Sequence, residues 1–301
     1  MSRLPESPTS ADPAGVDPPR PAVVEAVGRA IAEDVLPLGD LSASLVAEDA
    51  TASVDIVSRS HGVVAGRACA LETLRQVDPS LCAEWIVPDG GGVSPGDVLA
   101  RVSGPLRPLL TAERTVLNFL GHLSGVASVT RRYVDAVTAV NPASRVLDTR
   151  KTTPGLRALE KAAVRAGGGH NHRANLSDAV LIKDNHLAGV TITEAVGLAR
   201  RRWPGRMVEV ECDRAEQVTE AVAAGAALIM LDNMTPGEVA DCAPEVHAAG
   251  LLVEVSGGVS LERAPLLAAA GADLISVGAL THSAPVLDLG FDLSARAGRA
   301  G

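Results

Sequence analysis

The stretch MVEVECDRAEQVTEAVAAGAALIMLDN, residues 207–233, decides the fold. Met207–Glu211 and Ala227–Asp232 are short apolar runs with Val, Ile, Leu and Met on both faces, so each predicted strand must be covered from both sides. Arg214–Ala224 between them has helical periodicity and stops at Gly225, a residue that ends helices without a Cβ penalty. Two buried strands joined by a helix form a parallel pair.

The same rhythm extends outward in both directions. Strands are expected at Val146–Asp148, Ala179–Lys183, Leu251–Ser256 and Asp273–Val277. Helices are expected near Leu156–Ala166, Thr191–Trp203, Pro236–Ala249 and Leu261–Ala270, with Thr191 and Thr235 as N-caps and Gly250 and Gly271 as stops. Six such units predict an α/β fold of the (β/α) barrel kind rather than an open doubly wound sheet, although periodicity alone does not close the barrel.

The first half reads differently. Val23–Val35 is an amphipathic helix, and Ala52–Ser58, Gly62–Ala65, Glu84–Val87 and Val98–Val102 read as short strands. Turns are marked by Asp89-Gly90-Gly91-Gly92 and Pro95-Gly96. Thr111–Ser128, with Thr111 as N-cap, is a helix leading into the barrel. The expected division is a disordered Pro- and Ser-rich leader over 1–21, an α+β domain over 22–122 and the barrel over 123–284, with 285–301 packing on the α+β domain.

Composition excludes several classes of function. The longest apolar stretch, Ala221–Leu231, contains Gly225 and is too short to span a bilayer. The N-terminus has no apolar region of the secretory kind. Cys69, Cys82, Cys212 and Cys242 are far apart in sequence and read as packed, reduced thiols of a cytoplasmic protein. A formal charge of −9 argues against nucleic acid as a partner. One basic island stands out against it, with Arg145, Arg150, Lys151, Arg157, Lys161, Arg165, Arg173 and Lys183 facing only Asp148, Glu160 and Asp178. An acidic chain with one basic island points to a pocket for a small anion.

The polar residues fall at the carboxyl ends of the strands, where barrel loops converge on one rim. They are Asp148-Thr149-Arg150-Lys151, Lys183-Asp184, Glu211, Asp232-Asn233, Ser256-Gly257-Gly258 and Gly278. Arg150, Lys151, Lys183 and the loop Gly167–Arg173 supply cations and close backbone approach for an anion. Glu211 and Asp232 end apolar strands, where a carboxylate needs a partner. They suit a Mg2+ ion, and an ion pair with Lys151 or Lys183 is compatible with the same positions. Ser256-Gly257-Gly258 and Val277-Gly278-Ala279 fit a phosphate site on the last two strands. His61, His122, His186, His247 and His282 are scattered and read as surface or core residues. A lysine at a barrel strand end also admits a Schiff-base aldolase using Lys183.

With these residues assembled, the chain resembles the quinolinate phosphoribosyltransferases. The matching segments include GDLSAS (39–44), DGGGVSPGDVLARVSG (89–104), TAERTVLNFLGHLSGVAS (111–128), DTRKTTPGLRALEKAAVRAGGGHNHRANLSDAVLIKDNH (148–186), VEVECD (208–213), LIMLDNM (228–234), VEVSGGV (253–259) and LISVGALTHS (274–283). Ser42-Ala43 departs from the hydroxyl pair that the family carries at that turn. The resemblance implies an incomplete barrel with an N-terminal α+β domain, working as a homodimer in which each active site is completed by the partner's N-terminal domain. It implies an enzyme of NAD biosynthesis that joins quinolinate to phosphoribosyl pyrophosphate and releases CO2 and pyrophosphate, with Mg2+ as cofactor. Arg114 of the neighbouring copy, with Arg150, His172, Arg173 and Lys183, would hold quinolinate, and Thr149 would lie beside them. Lys151 would lie near the phosphoribosyl pyrophosphate, with Glu211 and Asp232 at its ribose and the metal. Ser256, Gly257, Gly258, Gly278 and Ala279 would hold its phosphate. A paralogue of the same fold linked to molybdenum transport is the alternative within this resemblance.

Overall fold

Two folded units account for the described residues, 16–293, of the computed structural model. The first comprises the chain up to Val129, then 153–168, then Ser283 onward; the second comprises 130–152 and 169–282.

In the first unit, α1 (Arg20–Val35) has a proline in its first turn and buries Val23, Ala26 and Val27. It begins inside the expected leader, and Val16 is already buried, its carbonyl accepting from Arg165 Nη2 at 3.3 Å. The rest of that leader, 1–15, lies outside the described residues. There follow β1 (Thr51–Ser58), β2 (Gly62–Val63), α2 (Arg67–Val77), β3 (Cys82–Trp85), β4 (Gly92–Val93) and β5 (Val98–Pro105). The final strand of the chain, β12 (Leu289–Leu293), pairs antiparallel with β1, giving a four-stranded sheet in the order β12-β1-β5-β3. Val54, Ile56, Leu99 and Val102 of this sheet pack with Leu74, Leu109, Val116 and Leu120 in one apolar cluster.

α2 was not legible as a helix, because its cap is remote in sequence. No side chain adjacent to its start caps it; instead Asp89 accepts from the N–H groups of Gly66 (3.0 Å) and Arg67 (3.2 Å), which satisfies donors that a helix start leaves open. α3 (Leu106–Thr138) starts five residues earlier than expected. Thr111 lies inside it rather than capping it. Its Oγ1 donates back to Arg107 O at 3.1 Å, as threonines in helices do.

The expected boundary at 122/123 also falls inside α3, and the units divide instead between Val129 and Thr130. The segment 153–168, read as part of the barrel, groups with the first unit. Its helix α4 (Arg157–Ala166) buries Leu159, Glu160, Ala162, Ala163 and Val164. Glu160 bonds His122 Nε2 at 2.8 Å and accepts from Thr153 N at 3.1 Å. Gly167 and Gly168 end this helix, Gly168 with φ +90°. Among the cysteines, Cys69, Cys212 and Cys242 are buried, but Cys82 is exposed, on β3 at the edge of its sheet. All four thiols are free. Burial pushes those of Cys69 and Cys212 up to about 12.

The second unit is the α/β unit. β6 (Arg145–Leu147), β7 (Val180–Ile182), β8 (Val208–Cys212), β9 (Leu228–Asp232), β10 (Val253–Ser256) and β11 (Leu274–Ser276) form a parallel sheet ordered β6-β11-β10-β9-β8-β7. Its helices are α5 (Ile192–Arg202), α6 (Ala215–Ala224), α7 (Pro236–Ala248), α8 (Ala264–Ala269) and the short α9 (Ala279–His282). The N-caps Thr191 and Thr235 are present, each closed by a reciprocal glutamate, Glu194 and Glu238. The first two strands in sequence are the two edges of the sheet, so this barrel is incomplete. No helix of the described residues is long and apolar enough to cross a membrane.

Candidate active site

Period two along a strand assigns residues to faces. On β8 the odd positions Glu209 and Glu211 share a face, opposite the buried Val208, Val210 and Cys212. On β9 and β10 the matching positions are Met230, Asp232, Glu254 and Ser256, with Glu211 beside Met230 and Ser256 beside Asp232 in register. Of these, Glu211, Met230, Asp232 and Ser256 stand around a cavity of about 660 Å3, lined also by Thr149, Arg150, Lys151, His172, Arg173, Lys183, Asn233, Gly257, Gly258, Ser276, Gly278, Ala279 and His282. Both edge strands contribute to its wall through the residues that follow them. Contributions from both edges to one cavity mean that the sheet is rolled around it. The volume is that of an ordinary small-molecule site.

Each polar group in the wall is held by a specific partner. Buried Asp148, at the end of β6, accepts from His172 N at 2.9 Å and from Asn171 Nδ2 at 2.5 Å, which fixes the His172-Arg173 segment at the rim. Arg173 Nη1 donates to Ala179 O at 3.1 Å. Burial, and secondly the neighbouring Arg150 guanidinium, lower the pKa of Arg173; a guanidinium still stays charged in protein. Two crowded arginines at the cavity wall add positive potential there, partly offset at Arg173 by Glu209 and Asp178, and an anion relieves it further. Lys183 Nζ bonds Glu211 Oε2, the ion pair that the sequence left open beside the metal reading. Thr281 Oγ1 donates to Lys151 O at 2.8 Å and so anchors that lysine's backbone. A Cβ on Gly278 would lie 3.1 Å from both Lys151 Cδ and His282 Nε2, and its absence lets the two side chains approach.

The glycine loop after β10 is built equally tightly. Gly257 has φ +87°, and a Cβ there would meet Asn233 Oδ1 at 2.2 Å and Asn233 N at 2.8 Å. Asn233 itself takes φ +59° and donates its N–H to Ser256 O at 3.0 Å. Arg263 clamps the loop from outside, with Nη1 on Gly257 O at 3.0 Å and Nη2 on Met234 O at 2.7 Å. Tying those carbonyls outward keeps the loop in a form that accepts close backbone approach by a ligand.

Beneath this wall lies a buried polar floor. His172 Nε2 is 3.1 Å from Glu209 Oε2 and 3.5 Å from Glu254 Oε1, and both carboxylates are fully buried. Ser276 Oγ donates to Glu254 Oε1 at 2.6 Å. Burial, and secondly the charge of Glu209, raise Glu254 to about 8.

Of the residues expected at the site, Thr149, Arg150, Lys151, His172, Arg173, Lys183, Glu211, Asp232, Ser256, Gly257, Gly258, Gly278 and Ala279 line the one cavity. Arg114 does not. It belongs to the first unit, 69% exposed at its side chain and 3.3 Å from the adjacent Glu113. The Gly167-Gly168-Gly169 run is not among the lining residues either; its first two glycines terminate α4. His282, read as a bland residue, is in the wall. Asn233 was read only as a polar strand end, and Arg263, Glu209 and Glu254 went unnoticed, yet the alternation Val-Glu-Val-Glu and Val-Glu-Val-Ser carried the signal for the last two.

Sequence profiles of two domains match this chain: the quinolinate phosphoribosyl transferase C-terminal domain over residues 126–292 and the N-terminal domain over 40–124. The chain belongs to the quinolinate phosphoribosyltransferase family. Similar curated members of this family include a probable carboxylating nicotinate-nucleotide pyrophosphorylase of Bacillus subtilis, 42% identical over 259 residues, covering 85% of this chain and 88% of the relative. The carboxylating nicotinate-nucleotide pyrophosphorylase of Mycobacterium leprae is 45% identical over 243 residues, covering 79% and 85%. The structure of the Francisella tularensis nicotinate-nucleotide pyrophosphorylase superposes with a TM-score of 0.88 at 34% identity, covering 93% of this chain and 99% of that one.

Proposed function

We propose that this member of the family converts quinolinate and phosphoribosyl pyrophosphate to nicotinate mononucleotide, CO2 and pyrophosphate, as a step of NAD biosynthesis. The observation that carries the reading is one cavity that joins Arg150, Lys151, Arg173 and Lys183 to Glu211, Asp232 and two glycine loops. A pyridine dicarboxylate and a sugar polyphosphate are both strongly anionic, and one pocket must neutralise the pair.

Arg150, Arg173, His172 and Lys183 hold the two carboxylates of quinolinate, with Thr149 at the edge of that subsite. Ser256, Gly257, Gly258, Gly278 and Ala279 receive the 5′-phosphate, and Lys151 faces the pyrophosphate end. As the C1–O bond to pyrophosphate breaks, positive charge grows at ribose C1, and the carboxylates of Glu211 and Asp232 stabilise it electrostatically. The pyridine nitrogen, held in line by the arginines, donates its lone pair to C1. The ring nitrogen is then cationic. The C–C bond to the adjacent carboxylate breaks, CO2 leaves, and the electron pair left on the ring carbon, stabilised by N⁺, takes a proton.

Mg2+ fits the donor set: Glu211 and Asp232 close adjacent strands at the cavity, and this ion uses one or two carboxylates together with substrate oxygens. When bound there, it would neutralise the leaving pyrophosphate. The ion pair of Lys183 with Glu211 compensates the acid before substrate arrives. The same pair speaks against an aldolase, whose Schiff-base lysine is made nucleophilic by desolvation or a neighbouring cation.

A homodimer is part of the proposal. Exposed Leu176, Leu198 and Trp203 line an apolar groove of about 600 Å3 beside β7, the edge strand of the sheet, and the exposed Arg114 would, as the family resemblance implies, serve a neighbouring copy. The four free thiols fit a reducing compartment, and the cytoplasm is the proposed location. The test is release of labelled CO2 from carboxyl-labelled quinolinate with phosphoribosyl pyrophosphate and Mg2+. Turnover supports the reading, and tight binding without CO2 release favours the molybdenum-linked paralogue.

A further inference from the structure

Beneath the cavity, two fully buried glutamates and one nearly buried histidine are clustered. Glu209 on β8 lies beside Leu228 of β9 in register and Glu254 on β10 beside Met230 of the same strand, and both glutamates are fully buried. The titratable groups facing Glu254 are Glu209 and His172, and Ser276 of β11 is its remaining polar neighbour. Its two oxygens differ. Oε1 accepts from Ser276 Oγ, whereas Oε2 is buried without a hydrogen-bond partner among the described residues. The Arg173 guanidinium offsets the charge of Glu209, so ionising Glu254 as well would place a second negative charge, with an orphaned oxygen, directly below a site for a dianionic acid. Such a charge is costly in a low-dielectric interior.

We propose that Glu254 is a positioning residue that works as a neutral carboxylic acid, its proton directed to the Glu209 carboxylate and leaving Glu209 alone to carry the charge that holds His172. The inference rests on reading the cavity above as the quinolinate site. Glu209 then receives the Nε2–H of His172, which fixes the tautomer and the ring plane of a side chain placed at the substrate carboxylates. The floor carries one negative charge instead of two, and that charge lies against the imidazole rather than the substrate. Burial and the charge of Glu209 push in this direction, overriding the opposing pull of His172 and Ser276 and raising Glu254 to about 8.

Glutamine copies the shape and donor of a protonated glutamate, so Glu254→Gln separates a neutral acid from an anion. Infrared difference spectra of the intact, ligand-free protein at neutral pH should show a protonated-carboxyl C=O stretch that is lost in Glu254→Gln. In kinetics, Glu254→Ala should raise the quinolinate KM about tenfold or more with a smaller effect on kcat, and Gln should restore it to within about threefold of wild type. Absence of that band, a Gln variant as impaired as Ala, or a bound metal ion that Glu254→Gln releases would each overturn the proposal. The infrared readout needs no substrate. It therefore stands whether or not the wild-type protein releases CO2 from quinolinate, and a failure of the functional reading is recognised separately.

Discussion

Two carboxylates in each of the two units are used in opposite ways. In the first, Asp89 accepts from two backbone N–H groups at the start of α2, and Glu160 accepts from a backbone N–H and pairs with His122. Their partners belong to the scaffold, and no second state is open to them. In the second, Glu211 is paired with the side chain of Lys183 beside a cavity, and Asp232 accepts from Asn233. Those partners are side chains that can turn to a ligand. The lesson concerns partners rather than residue type: a carboxylate spent on the backbone holds the fold, and one paired to a side chain in a cavity wall is available for chemistry.

Substitutions in the second unit should therefore alter kinetics with little loss of stability, and those in the first should do the reverse. The largest effect is expected at Lys151, where Ala should lower kcat by about 100-fold or more through lost stabilisation of leaving-group charge. Its thermal midpoint should stay near that of wild type, and a matching fall in melting temperature would break the comparison. Arg173→Ala should act mainly on binding, raising the quinolinate KM by about tenfold or more, because a charged hydrogen-bond donor is removed. Steady-state kinetics with each substrate varied in turn would show whether the KM for phosphoribosyl pyrophosphate moves instead, which would exchange the two subsites.

In the first unit, Asp89→Ala leaves two N–H groups of α2 unsatisfied and should cost about 1–3 kcal/mol in urea unfolding, with both KM values unchanged. The smallest effect belongs to Glu72, which accepts from Arg75 Nη2 at 2.6 Å and Gln76 Nε2 at 2.7 Å. The bond to Arg75 holds its pKa down at about 2, against 4.5 for a free side chain. The unfolded chain thus binds the proton more readily, so this group's stability is present above pH 4.5 and is lost as pH falls toward about 2. Glu72→Gln should flatten that part of the acid-unfolding curve and lower stability slightly at neutral pH, with the two proteins converging as pH falls toward about 2.

Most of the second unit was legible because its signals are local. Buried β-branched runs, Thr–Glu capping boxes and terminal glycines all act within a few residues, and each of the six strands lies where periodicity put it, to within one or two residues at either end. The rim was legible too, since polar residues that repeatedly end apolar strands must emerge at one side of a parallel sheet. The first unit was harder. Four of its strands lie near their expected places, but the cap of α2 comes from Asp89, twenty-two residues away, and β12 finds its partner β1 only from the far end of the chain.

From sequence alone came the α/β class, the family and most of the charged residues and glycines of the cavity wall, because these depend on residue type and spacing along one chain. Tertiary structure alone decided that α4 leaves the barrel for the first unit and that Thr111 lies within a helix. It alone placed Glu209 and Glu254 around His172. The physical reason is distance: charges and hydrogen bonds between segments far apart in the chain act only once folding has brought them within a few ångströms.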